Sequence, residues 1–194
     1  MRRVLLLCLL APFILAAPFS NDATYSDAVA RTKMLPLAAA AYGKSPQACL
    51  TNRFTDAVVT GHSLGGAMAS LAASYIVAAK LVPANNVELV TYGQPRTGNK
   101  DFAAAHDSQM AYSYRVTHWR DIVPHVPPEH LEGYRHHKSE AFYHNDMKAG
   151  ASFKVCDADE DKNCSDGLDI TVSIPDHLHY FNIDVSEYGE KGCK

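Results

Sequence analysis

After Ala17 no apolar run approaches membrane length, so beyond its first residues the chain offers no candidate for a transmembrane helix. Charge of one sign is not in excess either. Eighteen Lys and Arg against 21 Asp and Glu leave a formal net charge of −3, which gives no electrostatic reason to expect nucleic acid or an acidic surface as partner. There is no C-x-x-C pair, which removes the commonest thiolate zinc pattern. His118, His125, His130, His136, His137 and His144 crowd one region but show no recurring two-ligand helical spacing, so they read as solvated or structural and not as a metal set. No internal repeat or low-complexity tract is present, and the acidic run "DADEDKNCSD" reads as a solvated loop.

What is present begins with "MRRVLLLCLLAPFILAAPFS", two arginines, a short apolar run and then small residues. That order predicts a secretory signal peptide over residues 1–17 and an extracellular destination. Cys8 leaves with it, and four of the five cysteines remain for an oxidising compartment. Cys156 and Cys164 flank a turn-forming span able to close as a small loop, in which case Cys49 and Cys193 tie the start of the domain to its end. Four cysteines allow three pairings, and spacing alone does not exclude the other two. Along the chain an Ala-rich helix is expected from about Asn21 to Tyr42, a strand over Ala57–Thr60 and a helix from Gly65 to about Leu81. A strand from Val87, a short helix over Lys100–His106, a strand "YSYRVTHW" and a hairpin of "SEAFYH" with "SFKVC" follow. Strands alternating with helices at this spacing predict an α/β fold with a mostly parallel sheet, flanking helices and a C-terminal β-hairpin.

The stretch "VVTGHSLGGAMAS", Val58–Ser70, carries G-x-S-x-G between β-branched residues and an Ala-rich helix, which is the context of a nucleophile elbow. In such a turn Ser63 stands in a strained backbone conformation at a helix N-terminus, with Gly61, Gly65 and Gly66 allowing strand and helix to approach. A serine nucleophile needs a base within hydrogen-bond reach, and the base needs an acid to fix its tautomer. Many acids and nine histidines follow Ser63, so order alone does not choose. Asp121 follows a parallel strand directly, at the carboxyl end where such sheets place their sites, and His177 lies in the last structured segment, "IPDHLHYF".

"VTGHSLGGA", "YGQPRTGN", "RVTHWRDIVPHVPP" and "IPDHLHYF", in this order over about Asp56–Phe181, resemble the class 3 lipases, the fungal lipase type of α/β-hydrolase, and in detail their secreted nematode members. The resemblance implies a triacylglycerol lipase-like serine ester hydrolase with Ser63, Asp121 and His177 as the triad. It prefers His177 to His179, gives the backbone N–H of Leu64 an oxyanion role, and supports the pairing of Cys49 with Cys193 and Cys156 with Cys164. It implies no metal or cofactor, a lipid or other ester as substrate, and transient contact with a lipid interface.

The chain departs from the family at one place. Only seven residues separate Cys49 from Ala57, where the family carries several strands, a helix, the lid and a loop with a second oxyanion donor. Residues 18–194 are therefore expected to form a single shortened, partial α/β-hydrolase domain with an exposed edge at the elbow strand and impaired activity. The alternative is a secreted, non-catalytic remnant that keeps the elbow.

Overall fold

The computed structural model describes residues 24–44, 58–80, 82–129 and 131–194; the expected signal peptide, Cys49 and His130 lie outside them. Its frame is a five-stranded sheet in the order β1-β2-β4-β6-β7. β1 (Val59–His62), β2 (Glu88–Tyr92), β4 (Tyr112–His118) and β6 (Glu140–Tyr143) run parallel, and β7 (Lys154–Cys156) closes the sheet as the antiparallel partner of β6. Two short antiparallel pairs stand apart, β3 (Gly98–Asn99) with β5 (Tyr134–Arg135) and β8 (His179–Tyr180) with β9 (Ile183–Asp184). The mostly parallel α/β fold with a late hairpin is thus the one the sequence predicts.

Element edges differ from expectation for local reasons. The first helical run starts at Ser26, whose hydroxyl accepts from the Val29 N–H as an N-cap. It passes from α1 (Asp27–Val29) through a π-helical turn (Ala30–Met34) into α2 (Leu35–Ala40). Pro36, with no N–H to give the carbonyl of Thr32, sits where that widened turn ends. The elbow strand ends at His62 and not at Thr60, because its parallel pairing with β2 continues to His62 opposite Tyr92. α3 (Leu64–Ala78) then returns over the sheet, and α4 (Lys100–Gln109) starts at Asn99, whose side chain caps Asp101 and Phe102.

Strand alternation gives the sheet two unlike faces. Val90, Tyr92, Tyr114, Val116, Ala141 and Tyr143 point to one side and pack with Met34, Leu35, Ala38 and Ala39 into the main core. On the opposite face Thr91, Arg115, Thr117 and Glu140 are as deeply buried but polar, alongside the apolar Leu89 and Phe142. On that second face Arg115 Nε donates to the His137 carbonyl (2.6 Å), and Glu140 accepts from Thr117 Oγ1 and the Ser165 N–H.

β1 ends the strand order, with β2 as its neighbour among the described residues. Leu64, Met68, Leu71 and Tyr75 form an exposed apolar stripe on α3, since they recur at helical spacing. A groove of about 620 Å³ runs between Tyr42 at the end of the first helical run, β1 and α3.

The acidic run is a correction. Glu160 is not solvated; its side chain is 4 % exposed and forms a two-pronged ion pair with Arg96 at 3.0 and 2.8 Å. Cys156 and Cys164 close this loop as a disulfide. Cys193 is buried and disulfide-bonded, and its expected partner Cys49 is outside the described residues.

Candidate active site

Ser63 lies between the last residue of β1 and the first of α3, at φ 59° and ψ −133°, a region that L-residues avoid. The Ser63 N–H donates to the Tyr92 carbonyl and the Ser63 carbonyl accepts from Gly66, which fixes the turn at both ends. Of the three glycines, Gly61 has the strictest need of no side chain, since a Cβ there would stand 2.1 Å from the Gly65 oxygen. At Gly66 the nearest atom would be 3.1 Å away, and at Gly65 none lies within 4 Å, so packing does not demand glycine at the second position of the motif. Leu64 opens α3, where helix geometry supplies no carbonyl for its N–H.

Asp121 follows β4 by a tight turn and forms a parallel bridge with Ser173. Ser173 donates to the Arg120 carbonyl and caps α5 (Ile174–Leu178) by accepting from the Asp176 N–H. That seam carries His177 to the carboxyl ends of the strands. Ser63 Oγ donates to His177 Nε2 at 2.9 Å, and His177 Nδ1 donates to Asp121 Oδ2 at 3.0 Å. The tautomer follows, because a carboxylate only accepts. His179 faces elsewhere: its side chain is about half exposed, and its Nδ1 lies 3.0 Å from the Pro175 carbonyl.

Asp121 is 1 % exposed, and its two oxygens accept two bonds besides that from His177. Oδ1 takes the Val123 N–H at 2.8 Å, and Oδ2 takes the Tyr180 hydroxyl at 2.7 Å beside His177. Tyr180 is presented by the β8–β9 hairpin, whose turn residues Phe181 and Asn182 both have positive φ (56° and 62°), the twist favoured in two-residue hairpins. Three residues here were not assigned from sequence. Tyr180 holds Asp121. Gly93 (φ 53°) follows β2 directly beneath the acid and the imidazole; a Cβ there would lie 2.7 Å from Asp121 Oδ2 and 2.8 Å from His177 Nδ1. His62 stacks on the His177 ring. Only the "YG" after a strand and the aromatic pair "YF" hint at the first two.

Three of the crowded histidines are held by separate partners: His136 Nε2 donates to the Pro124 carbonyl, His137 meets the Gln94 amide, and His118 Nδ1 donates to the His179 carbonyl at 2.6 Å. A serine hydroxyl on a neutral imidazole, itself held by a buried carboxylate beside a helix N-terminus, can activate the oxygen as a nucleophile toward an acyl carbon.

Residues 38–131 match the family model for lipase (class 3). The chain is 37 % identical over 167 residues to Lipase ZK262.3 of Caenorhabditis elegans, covering 71 % of this chain and 47 % of that one. It is 41 % identical over 128 residues to secreted mono- and diacylglycerol lipase 1 of Fusarium solani, covering 64 % and 37 %. A solved structure described as a triacylglycerol lipase whose catalytic centre is a serine protease triad superposes with a TM-score of 0.61 at 38 % identity, over 66 % of this chain and 48 % of that one. The chain therefore spans about half the length, or less, of the relatives it matches. With this fold, this motif order and these relatives, the chain is a member of the class 3 lipase family.

Proposed function

We propose that the protein is a secreted serine ester hydrolase acting on acylglycerols or related lipid esters, with residues 1–17 removed as a signal peptide and 18–194 forming one domain. The observation that carries the reading is the unbroken line Ser63 Oγ, His177, Asp121 at 2.9 and 3.0 Å. Ser63 attacks the ester carbonyl while His177 takes its proton; the same imidazole returns the proton to the leaving alkoxide, and water then clears the acyl-enzyme by the reverse sequence. Asp121 holds the imidazole tautomer and stabilises the imidazolium. The Leu64 N–H supports the oxyanion. A second donor of the family's usual loop has no counterpart in the short span after Cys49, and lacking one donor costs about 10²–10³ in turnover.

The reading is supported by the two secreted or lipid-cleaving relatives and by the site's position at the carboxyl ends of parallel strands. The exposed stripe on α3, Leu64 to Tyr75, would let this face rest transiently on lipid. Slow hydrolysis of a soluble short-chain ester, abolished alike by Ser63→Ala, His177→Ala and Asp121→Asn but not by His179→Ala, is the expected result. No rate jump is expected when substrate passes from monomers to an emulsion. Activity in the full chain that survives Ser63→Ala would remove the triad reading. Complete inertness toward both esters and fluorophosphonates would establish instead the non-catalytic remnant, which the missing oxyanion loop favours.

A further inference from the structure

His62 has no part in the proposed chemistry, yet it is 5 % exposed and bonded at both ring nitrogens. Its Nε2 lies 2.7 Å from the backbone carbonyl of His177. Because a carbonyl only accepts, Nε2 carries the hydrogen, and Nδ1 is left to accept from the Tyr42 hydroxyl, with which it makes a short contact. The two imidazoles stack with centroids 4.5 Å apart and planes 26° from parallel. One residue thus grips the backbone of the proposed base and covers its ring, while standing next to the nucleophile in the chain.

We propose that His62 is a positioning residue for His177. Its Nε2–H and its ring face hold that imidazole on the line between Ser63 and Asp121, and Tyr42 fixes the tautomer that makes this possible. The inference rests on the reading of Ser63, His177 and Asp121 as a hydrolytic triad. Two observations bear on it. α5, which carries His177, is a five-residue helix, too short to orient a side chain by its own hydrogen bonds. And His62 must be neutral to act so, since an imidazolium stacked there would oppose the positive charge that His177 acquires. Burial, followed by the neighbouring His177, pushes its pKa down to about 4. The groups facing it are Tyr42, His177 and Tyr180, with Asp121 and Asp184 acting weakly in the other direction.

The test compares His62→Phe, which keeps a ring and loses both hydrogen bonds, with His62→Gln, whose amide can still donate to the His177 carbonyl, and with Tyr42→Phe. Readouts are kcat and KM on a soluble ester, the thermal midpoint, and the NMR resonance of the His177 Nδ1 proton, which requires no turnover. A displacement near 1 Å costs about 10²-fold. His62→Phe should therefore lower kcat by about 10²-fold with KM held within about twofold, and displace the proton resonance. His62→Gln should recover at least about tenfold of that loss and restore the resonance, and Tyr42→Phe should fall between them. The proposal is overturned if His62→Phe keeps kcat and resonance, or if Phe and Gln variants lose activity equally and in step with their thermal midpoints. Should the unaltered chain hydrolyse nothing, the hydrolytic reading fails separately, and the resonance in the Phe and Gln variants still decides the role of His62.

Discussion

Replacing Gly93 by alanine adds one methyl group at the most crowded point of the site. Two effects combine, and the structure separates them. The first is conformational: at φ 53° a Cβ meets backbone strain of roughly 1–2 kcal/mol. The second is steric. The new carbon would stand 2.7 Å from Asp121 Oδ2, 2.8 Å from His177 Nδ1 and 3.0 Å from His177 Cε1, about an ångström inside an ordinary carbon contact of ~3.5–4.0 Å. Neither side chain can step back cheaply, because Asp121 is pinned by Val123 and Tyr180. Pushing acid and imidazole apart by part of an ångström should cost about 10²-fold in turnover, rising toward ~10⁴ if the tautomer is no longer held. Gly150→Ala supplies the control. Its φ is 81° and a Cβ there meets nothing within 4 Å, so it carries strain without the clash. Thermal unfolding and the rate of a soluble ester or of fluorophosphonate labelling should be measured on both. The midpoint should fall slightly for Gly150→Ala and further for Gly93→Ala, which adds the clash to the strain, and only Gly93→Ala should lose reactivity. If Gly93→Ala reacts within about threefold of the unaltered chain, the geometry around Asp121 does not govern reactivity in the way argued.

Arg96→Met should destabilise by about 3–5 kcal/mol in urea unfolding, since it leaves Glu160 buried without its cation; a loss under ~1 kcal/mol would contradict the burial described. Acid should unfold the protein early. Burial holds His62 and His106 down to about 4, so between there and the ordinary value near 6.5 only the unfolded chain binds these protons. Stability therefore falls as pH drops through that window, by up to roughly 3 kcal/mol for each. Asp107, raised to about 6 by burial, acts in the opposite sense below that pH, but it is partly open to solvent, so screening leaves it offsetting only part of one of them. A thermal midpoint unchanged between pH 7 and pH 5 would refute this. Tyr180→Phe, which removes a buried donor to Asp121 Oδ2, should cost about 1.5–3 kcal/mol in unfolding and lower the hydrolysis rate.

The parts of the site that were legible in sequence are those fixed by local chemistry. Gly61 and Gly66 mark a turn that strand and helix need at short range, and Asp121 follows a strand whose β-branched and aromatic residues announce it. Gly93, Tyr180 and His62 were not legible because their roles arise only when the parallel order β1-β2-β4 sets the ends of three strands side by side. A glycine after "TY" serves many turns; that this one lies under an acid and an imidazole depends on contacts 28 and 84 residues away. The acidic run misled because composition reports solvation only when no buried cation such as Arg96 waits for it. Residues 45–57, Cys49 among them, lie outside the described part of the chain, so the pairing of Cys49 with Cys193 stays an expectation from the sequence.

The two faces of the sheet should tolerate change very differently under random mutagenesis. Val116 and Ala141 sit among apolar neighbours, where swaps of similar volume are absorbed by repacking. Arg115, Thr117 and Glu140 sit among partners with fixed donor and acceptor roles, so even an isosteric replacement strands a neighbour. Along β4 tolerance should therefore rise and fall with every second residue. For this lineage the apolar side is where sequence can drift, and the polar side is where a neutral step requires two simultaneous changes.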